Sequence, residues 1–241
     1  MPQLFYSETA PNARLAALVD CQWTVAVDPS GPGAPQHWVL PDGCWTLSIG
    51  LKPTWYVRLR RPSASPFIAP CIPGELIVGV RFRPGPPPRE ILSQTHEKLT
   101  KGQSVPEIWG NLNEILSKTV TGRDARLDYF VSSLRKSNGS LSIAQMADQI
   151  SISDRHLERL SKQQLGLSPK TFARIVRLQS ALRLLIANPD KGLADAAVDL
   201  GYTDQTHMTR DVTNLGLITP RAYQRSIQNV GFVLDAGANS G

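Results

Sequence analysis

Arg159 and Arg210 stand 51 residues apart in matching surroundings, each inside a stretch with the apolar spacing of a helix. A guanidinium presents paired donors that fit the acceptors on the edge of a guanine. Other groups of the same chemistry lie close by. Gln205 has the amide that pairs with adenine, and Glu158 can accept from the amino group of cytosine. Arg155 and Thr206 fall near the starts of the two stretches, where a reading helix meets base edges, and Lys162 is a point charge suited to phosphate. The alternative for any one of these side chains, weighing less, is a solvated surface group. Their arrangement makes Arg155, Glu158, Arg159, Lys162, Gln205, Thr206 and Arg210 the candidate DNA-contacting set.

Helices must position these residues. Leu193 to Leu200 is a short apolar helical run ended by Gly201, a residue suited to the left-handed position after a helix. Thr203 then fits the N-cap of a second helix, with Asp204 in its first turn. On that helix Met208 and Val212 face inward, and Thr206, Arg210 and Thr213 share an outer stripe. Two helices joined by so short a turn make a helix-turn-helix.

The same grammar occurs about fifty residues earlier. Ser142-Ile-Ala-Gln145 has capping-box spacing, the helix runs to Ile150, and Ser153 caps the next one. There Leu157 and Leu160 form the inner face, and Arg155, Glu158, Arg159 and Lys162 the outer. Gly166-Leu-Ser-Pro169 closes the first unit and Leu215-Gly-Leu-Ile-Thr-Pro220 the second. Between them Ser168 and Pro169 fit N-cap and N1 of a long connecting helix. Its apolar face is Phe172, Ile175, Val176, Leu178, Leu182 and Leu185, and it ends near Asn188-Pro189.

At these residues the chain resembles the AraC family of bacterial transcription regulators, over roughly Leu141 to Tyr223. Gly201-Tyr202, Asp204-Gln205, Arg210, Thr219-Pro220 and Tyr223 carry the resemblance. It implies an all-α, homeodomain-like tandem helix-turn-helix that reads two successive major grooves of double-stranded DNA. RNA polymerase, a small-molecule effector and a second copy are the further partners it admits. Separately, the lack of a basic start followed by a long apolar run leads us to expect a cytoplasmic protein, and the lack of a constellation of reactive groups leads us to expect neither an enzyme nor a cofactor. The chain departs from the family pattern at Ser161, usually an aromatic, at Leu217, usually a glycine, and at Thr213 and Asn214, usually basic. The reading from another class is a protein-interaction module that keeps the helix-turn-helix shape without specific DNA affinity.

The N-terminal half reads differently. Short runs rich in Val, Trp, Tyr, Ile and Leu, separated by Pro and Gly, predict strands at 21–27, 37–40, 44–49, 55–59, 67–71 and 75–82. Six short strands with little helix between them suggest a small cupin-like antiparallel barrel or a two-sheet roll, so the chain as a whole is α+β. Leu40-Pro-Asp-Gly-Cys44 looks like a hairpin turn. Val39-Leu-Pro-Asp-Gly43 and Gly79-Val-Arg-Phe-Arg-Pro-Gly85 resemble the N-terminal domain of one AraC branch, with Thr46 in place of an acidic residue. That resemblance implies a sensor or dimerisation half. Pro84-Gly-Pro-Pro-Pro88 ends the β-rich part, and helices are expected at 90–99, 105–118 and 124–136. The expected division is a β-rich domain with trailing helices over 1–122, the DNA-binding domain over 123–228, and a flexible tail over 229–241.

Composition narrows the classes. Of 26 Lys and Arg, 15 lie between Arg123 and Gln228 against 10 acidic residues there, so most of the positive balance accompanies the repeat. Cys21, Cys44 and Cys71 are widely spaced and lack C-x-x-C pairing, which suits reduced core residues rather than zinc ligands or a disulfide. No run of eighteen apolar residues occurs, so no membrane span is expected. With one strand histidine, His37, no metal site is expected, and no Gly-rich phosphate loop appears. Arg58, Arg60 and Arg61, with Arg81 and Arg83, could receive an anionic effector, although outward-facing strand arginines are commoner. Trp23, Trp38, Trp45 and Trp55 suit either a pocket or the core.

Overall fold

A computed structural model describes residues 4–30, 36–70, 72–119, 123–188, 191–227 and 230–234. The strands are β1 (Leu4–Thr9), β2 (Val19–Val27), β3 (Gln36–Val39), β4 (Thr46–Lys52), β5 (Tyr56–Arg60), β6 (Phe67–Pro70) and β7 (Leu76–Phe82). Alternation along β4 and β7 sends Leu47 and Ile49, and Val78, Val80 and Phe82, to one face. Helices α1 (Ile91–Lys98) and α2 (Val105–Ser117) cover that face with Ile91, Ile108, Leu112 and Leu116.

The larger sheet has the order β5-β4-β7-β2-β1-β8, where β8 is Val230–Leu234, and among the described residues β3 pairs only with β6, in a second, two-stranded sheet. Of the barrel and the roll that six strands allow, the molecule has two separate sheets. Leu40-Pro-Asp-Gly-Cys44 therefore closes no hairpin. β4 pairs with β5 and β7, and the turn carries the chain from one sheet to the other. Proline, aspartate and glycine signal a reversal but carry no information about which strands then pair.

Strand β8 (Val230–Leu234) lies in the segment expected to be a flexible tail, and it runs parallel to β1. Neither β1 nor β8 is among the strands that the sequence predicts, and their pairing joins the two ends of the chain. Residues 235–241, the end of that expected tail, lie outside the described residues, as do 120–122 within the expected domain boundary and Cys71.

The C-terminal half is helical: α3 (Ala125–Lys136), α4 (Ile143–Gln149), α5 (Asp154–Gln164), α6 (Pro169–Ala187), α7 (Leu193–Asp199), α8 (Gln205–Gly216) and α9 (Pro220–Ile227). Two apolar cores form there, and α6 belongs to both. Phe172, Ala173, Ile175 and Val176 pack with α3, α4 and α5, with Phe130 and Phe172 rings 6.2 Å apart. Leu178, Ala181, Leu182 and Leu185 pack with α7 and α8.

The two halves touch. Arg135 Nη1 lies 2.9 Å from Asp20 Oδ1, and Arg123 Nη2 donates to Pro84 O at 2.6 Å. Burial raises the pKa of Asp20, but Arg135 and Arg81 outweigh it and hold the carboxyl below the usual range. Ala64, in the connection between β5 and β6, packs against the first helical core.

Candidate nucleic-acid interface

Both helix-turn-helix units are built by caps. Ser153 Oγ accepts from His156 N at 3.2 Å to start α5, and Ser168 Oγ accepts from Thr171 N at 3.1 Å to start α6. Helix α7 ends at Gly201, which takes φ +70° as its place after a helix demands. The cap of α8 is Asp204, one residue later than Thr203, with Oδ1 accepting from His207 N at 2.7 Å. A charged oxygen at that point satisfies the free amides more strongly than a hydroxyl.

On α5, Arg155, Arg159 and Lys162 are exposed and Glu158 is half-buried, all on one face. Glu158 and Lys162 form an exposed ion pair at 2.8 Å, and Arg159 Nη1 reaches Gln163 Oε1 at 3.4 Å. Gln205, Thr206 and Arg210 are exposed on the first two turns of α8. Thr213 turns inward instead, its Oγ1 buried without a hydrogen-bond partner among the described residues. The His207 ring packs edge-on against Tyr202 at 5.3 Å. The seven candidates thus fall on two polar faces, one on α5 and one on α8.

Sequence reading missed the groups that hold α8 to α6. Asp211 Oδ1 accepts from Arg174 Nε at 3.0 Å and Nη2 at 2.8 Å, and the other carboxylate oxygen accepts from the Tyr202 hydroxyl at 3.5 Å. Burial, followed by the Asp211 charge, pushes the Tyr202 hydroxyl above its ordinary pKa. Arg177, one turn along α6, stacks over the Tyr202 ring at 5.3 Å and donates to Gly139 O at 2.9 Å, which ties in the loop after α3. A signal was available: Asp211 falls between Met208 and Leu215 on the inner stripe, where a carboxylate requires a cation from the helix opposite.

Two departures from the family pattern now have physical accounts. Ser161 is fully buried and its hydroxyl donates to Leu167 O at 2.7 Å, so a small polar residue is satisfied where an aromatic would fill space. Leu217 adopts the left-handed conformation that a glycine takes at this point, with φ 53° and ψ 20°, and its side chain is 63% exposed.

The helix-turn-helix geometry agrees with the comparisons. Residues 146–226 match the family model described as a helix-turn-helix domain. An uncharacterized HTH-type transcriptional regulator of Haemophilus influenzae is 30% identical over 106 residues, which are 44% of this chain and 35% of that protein. The HTH-type transcriptional activator RhaS of Klebsiella pneumoniae is 34% identical over 95 residues, or 39% and 34% of the two chains. The C-terminal region is a helix-turn-helix domain of the AraC type. The chain spans about a third of the length of these curated relatives.

Residues 7–101 match a domain of unknown function (DUF6597). Among solved structures, an AraC-type regulator from Chromobacterium violaceum covers 42% of this chain and 90% of its own, at 28% identity and TM-score 0.39. ToxT from Vibrio cholerae covers 95% of this chain and 98% of its own, at 8% identity and TM-score 0.48.

Within the AraC-type domain and the sheet half, no described helix is long and apolar enough to cross a membrane. No group of three His, Cys, Asp or Glu side chains among the described residues is arranged to hold a metal. The inner face of the larger sheet is filled by side chains from α1 and α2. One cleft opens between those helices at Gln94, Glu97, Lys98, Glu114, Ile115 and Lys118. A smaller one lies at the junction of the halves, lined by Asp20, Asp42, Cys44, Arg81, Arg135 and Arg183 among others.

Two outcomes follow for stability. Leu217→Gly relieves a left-handed leucine and raises unfolding free energy by up to about 1 kcal/mol in chemical denaturation; an unchanged or lower midpoint would contradict the strain. Asp211→Ala removes the acceptor of the buried Tyr202 hydroxyl and of Arg174 and costs roughly 1–3 kcal/mol in the same assay; a loss under about 0.5 kcal/mol, the size of an ordinary surface change, would show that the pair holds little.

Proposed function

We propose that this chain is a sequence-specific DNA-binding transcription regulator that sets α5 and α8 in two successive major grooves. The observation that carries the reading is that one helix, α6, contributes to both units' cores while the polar faces of α5 and α8 stay exposed. A helix of 19 residues is about 28 Å long, close to the roughly 34 Å of one DNA turn. Arg159 and Arg210 read base edges, Arg155, Glu158, Gln205 and Thr206 add contacts near the helix starts, and Lys162 meets phosphate once released from Glu158. Residues 123–228 act as the DNA-binding domain, and residues 1–122 modulate it through a small effector or a second copy. The cytoplasm is where such a regulator works, with RNA polymerase as a partner at the promoter.

The test is selection of duplexes from a randomised pool by the full chain, followed by titration of the selected duplex. Arg159→Ala and Arg210→Ala should each cost roughly 1–3 kcal/mol and relax preference at a different base pair. Selection of no sequence, with weak and uniform binding to all duplexes, would favour the interaction-module reading. Equal losses on every duplex would show that both arginines touch phosphate only.

A further inference from the structure

The turn Leu40-Pro-Asp-Gly-Cys44 leaves the sheets and lies across α6, where it meets both helix-turn-helix units at once. Gly43, at φ +72°, brings its backbone so near the first unit that an added Cβ would sit 2.7 Å from Phe172 Cε2 and 3.7 Å from Ile175 Cγ2. Three residues away, Leu40 packs into the second unit's core, its Cδ2 3.6 Å from where a Cβ on Gly216 would stand, at the end of α8. Between these contacts Gln179 Nε2, on α6, donates to Pro41 O at 2.5 Å.

The turn is itself held firmly. Asp42 Oδ1 accepts from Cys44 N at 2.9 Å, and Asp42 Oδ2 lies 3.4 Å from Arg81 Nε on β7. Arg81 also pairs with Glu8 on β1. From α3, Arg135 reaches Asp20 at 2.9 Å and Cys44 Sγ at 3.8 Å. Through Arg81 the turn is tied to β7 and on to Glu8 of β1, and through Arg135 to α3 and on to Asp20 of β2, so the sheet half shares in setting its position. It lies on α6 and the C-terminal end of α8, and the faces bearing Arg159 and Arg210 stay exposed.

We propose that the Leu40–Cys44 turn is a positioning element for DNA reading: a brace, belonging to the sheet half, that sets the separation and relative rotation of α5 and α8. This rests on the DNA-reading function proposed above. A five-residue segment wedged between Phe172 and Gly216 resists bending of α6, along which any change in the spacing of the two units must occur. Because it leaves the reading faces open, it acts by geometry rather than by obstruction.

The variants are Leu40→Ala, which empties the second contact, and Gln179→Ala, a milder change that removes the bond to Pro41. The probes are the duplex selected by the wild-type chain, the same duplex with one base pair inserted or deleted between its halves, and a duplex carrying one half only. One base pair shifts the second half by about 3.4 Å and rotates it by about 35°. The wild type should lose about tenfold or more in affinity on the altered spacings, and the variants about threefold or less, with unchanged binding to the single half. A spacing penalty equal to the wild type's would overturn the brace, and so would tighter binding of the variants to the original duplex, which would make the turn a restraint against DNA. Hydrogen exchange of the free chain tests the turn without DNA. Amides of 205–216 should exchange faster in both variants, and unchanged exchange would overturn the brace. A wild-type chain that selects no duplex would sink the DNA reading instead, and the exchange result would still decide the turn.

Discussion

Helix α6 must bury two apolar stripes at the same time, one at Phe172, Ile175 and Val176 and the other at Leu178, Leu182 and Leu185. Neither short helix pair could hold its core alone, since α4 and α7 are seven residues each and too short to persist without tertiary packing. The connecting helix is thus the shared wall of two small cores. Arg174 and Arg177 extend the same role into polar chemistry, fixing α8 through Asp211 and Tyr202 and the loop after α3 through Gly139.

Much of this was legible in the residues. Ser153, Ser168 and Gly201 mark helix ends by their own chemistry, and the offset of about fifty residues exposes the repeat. The α+β division followed from the change in periodicity near Pro84. What stayed hidden depends on distant partners. The pairings of β3 with β6 and of β1 with β8 are long-range choices that local composition does not encode, and of the Arg174 to Asp211 link the sequence shows only the inward carboxylate and not its partner. The Leu40–Cys44 turn shows both sides: its residues announced a reversal, and only the fold shows that it is set against α6.

The chain's departures from the family pattern bear on how it would hold DNA. Ser161 keeps the first core closed by a hydrogen bond, so the first reading helix does not lack support. Thr213 is turned inward and Asn214 is uncharged, which leaves the end of α8 with little to offer a phosphate. On the proposed reading, affinity then rests more on the groups proposed to meet bases and on α5, where Arg155, Arg159 and Lys162 are exposed. An arrangement of that kind favours discrimination between sequences over general attraction to the backbone.

On the proposed function α5 and α8 act as one rigid reader, joined through α6 and braced by the Leu40–Cys44 turn. Hydroxyl-radical footprinting of the full chain on its selected duplex tests it most directly. The account requires two protected patches on one face of the DNA, about 10 base pairs apart from centre to centre, that appear together over a single concentration range. A single patch, or two patches that fill at different concentrations, would contradict it.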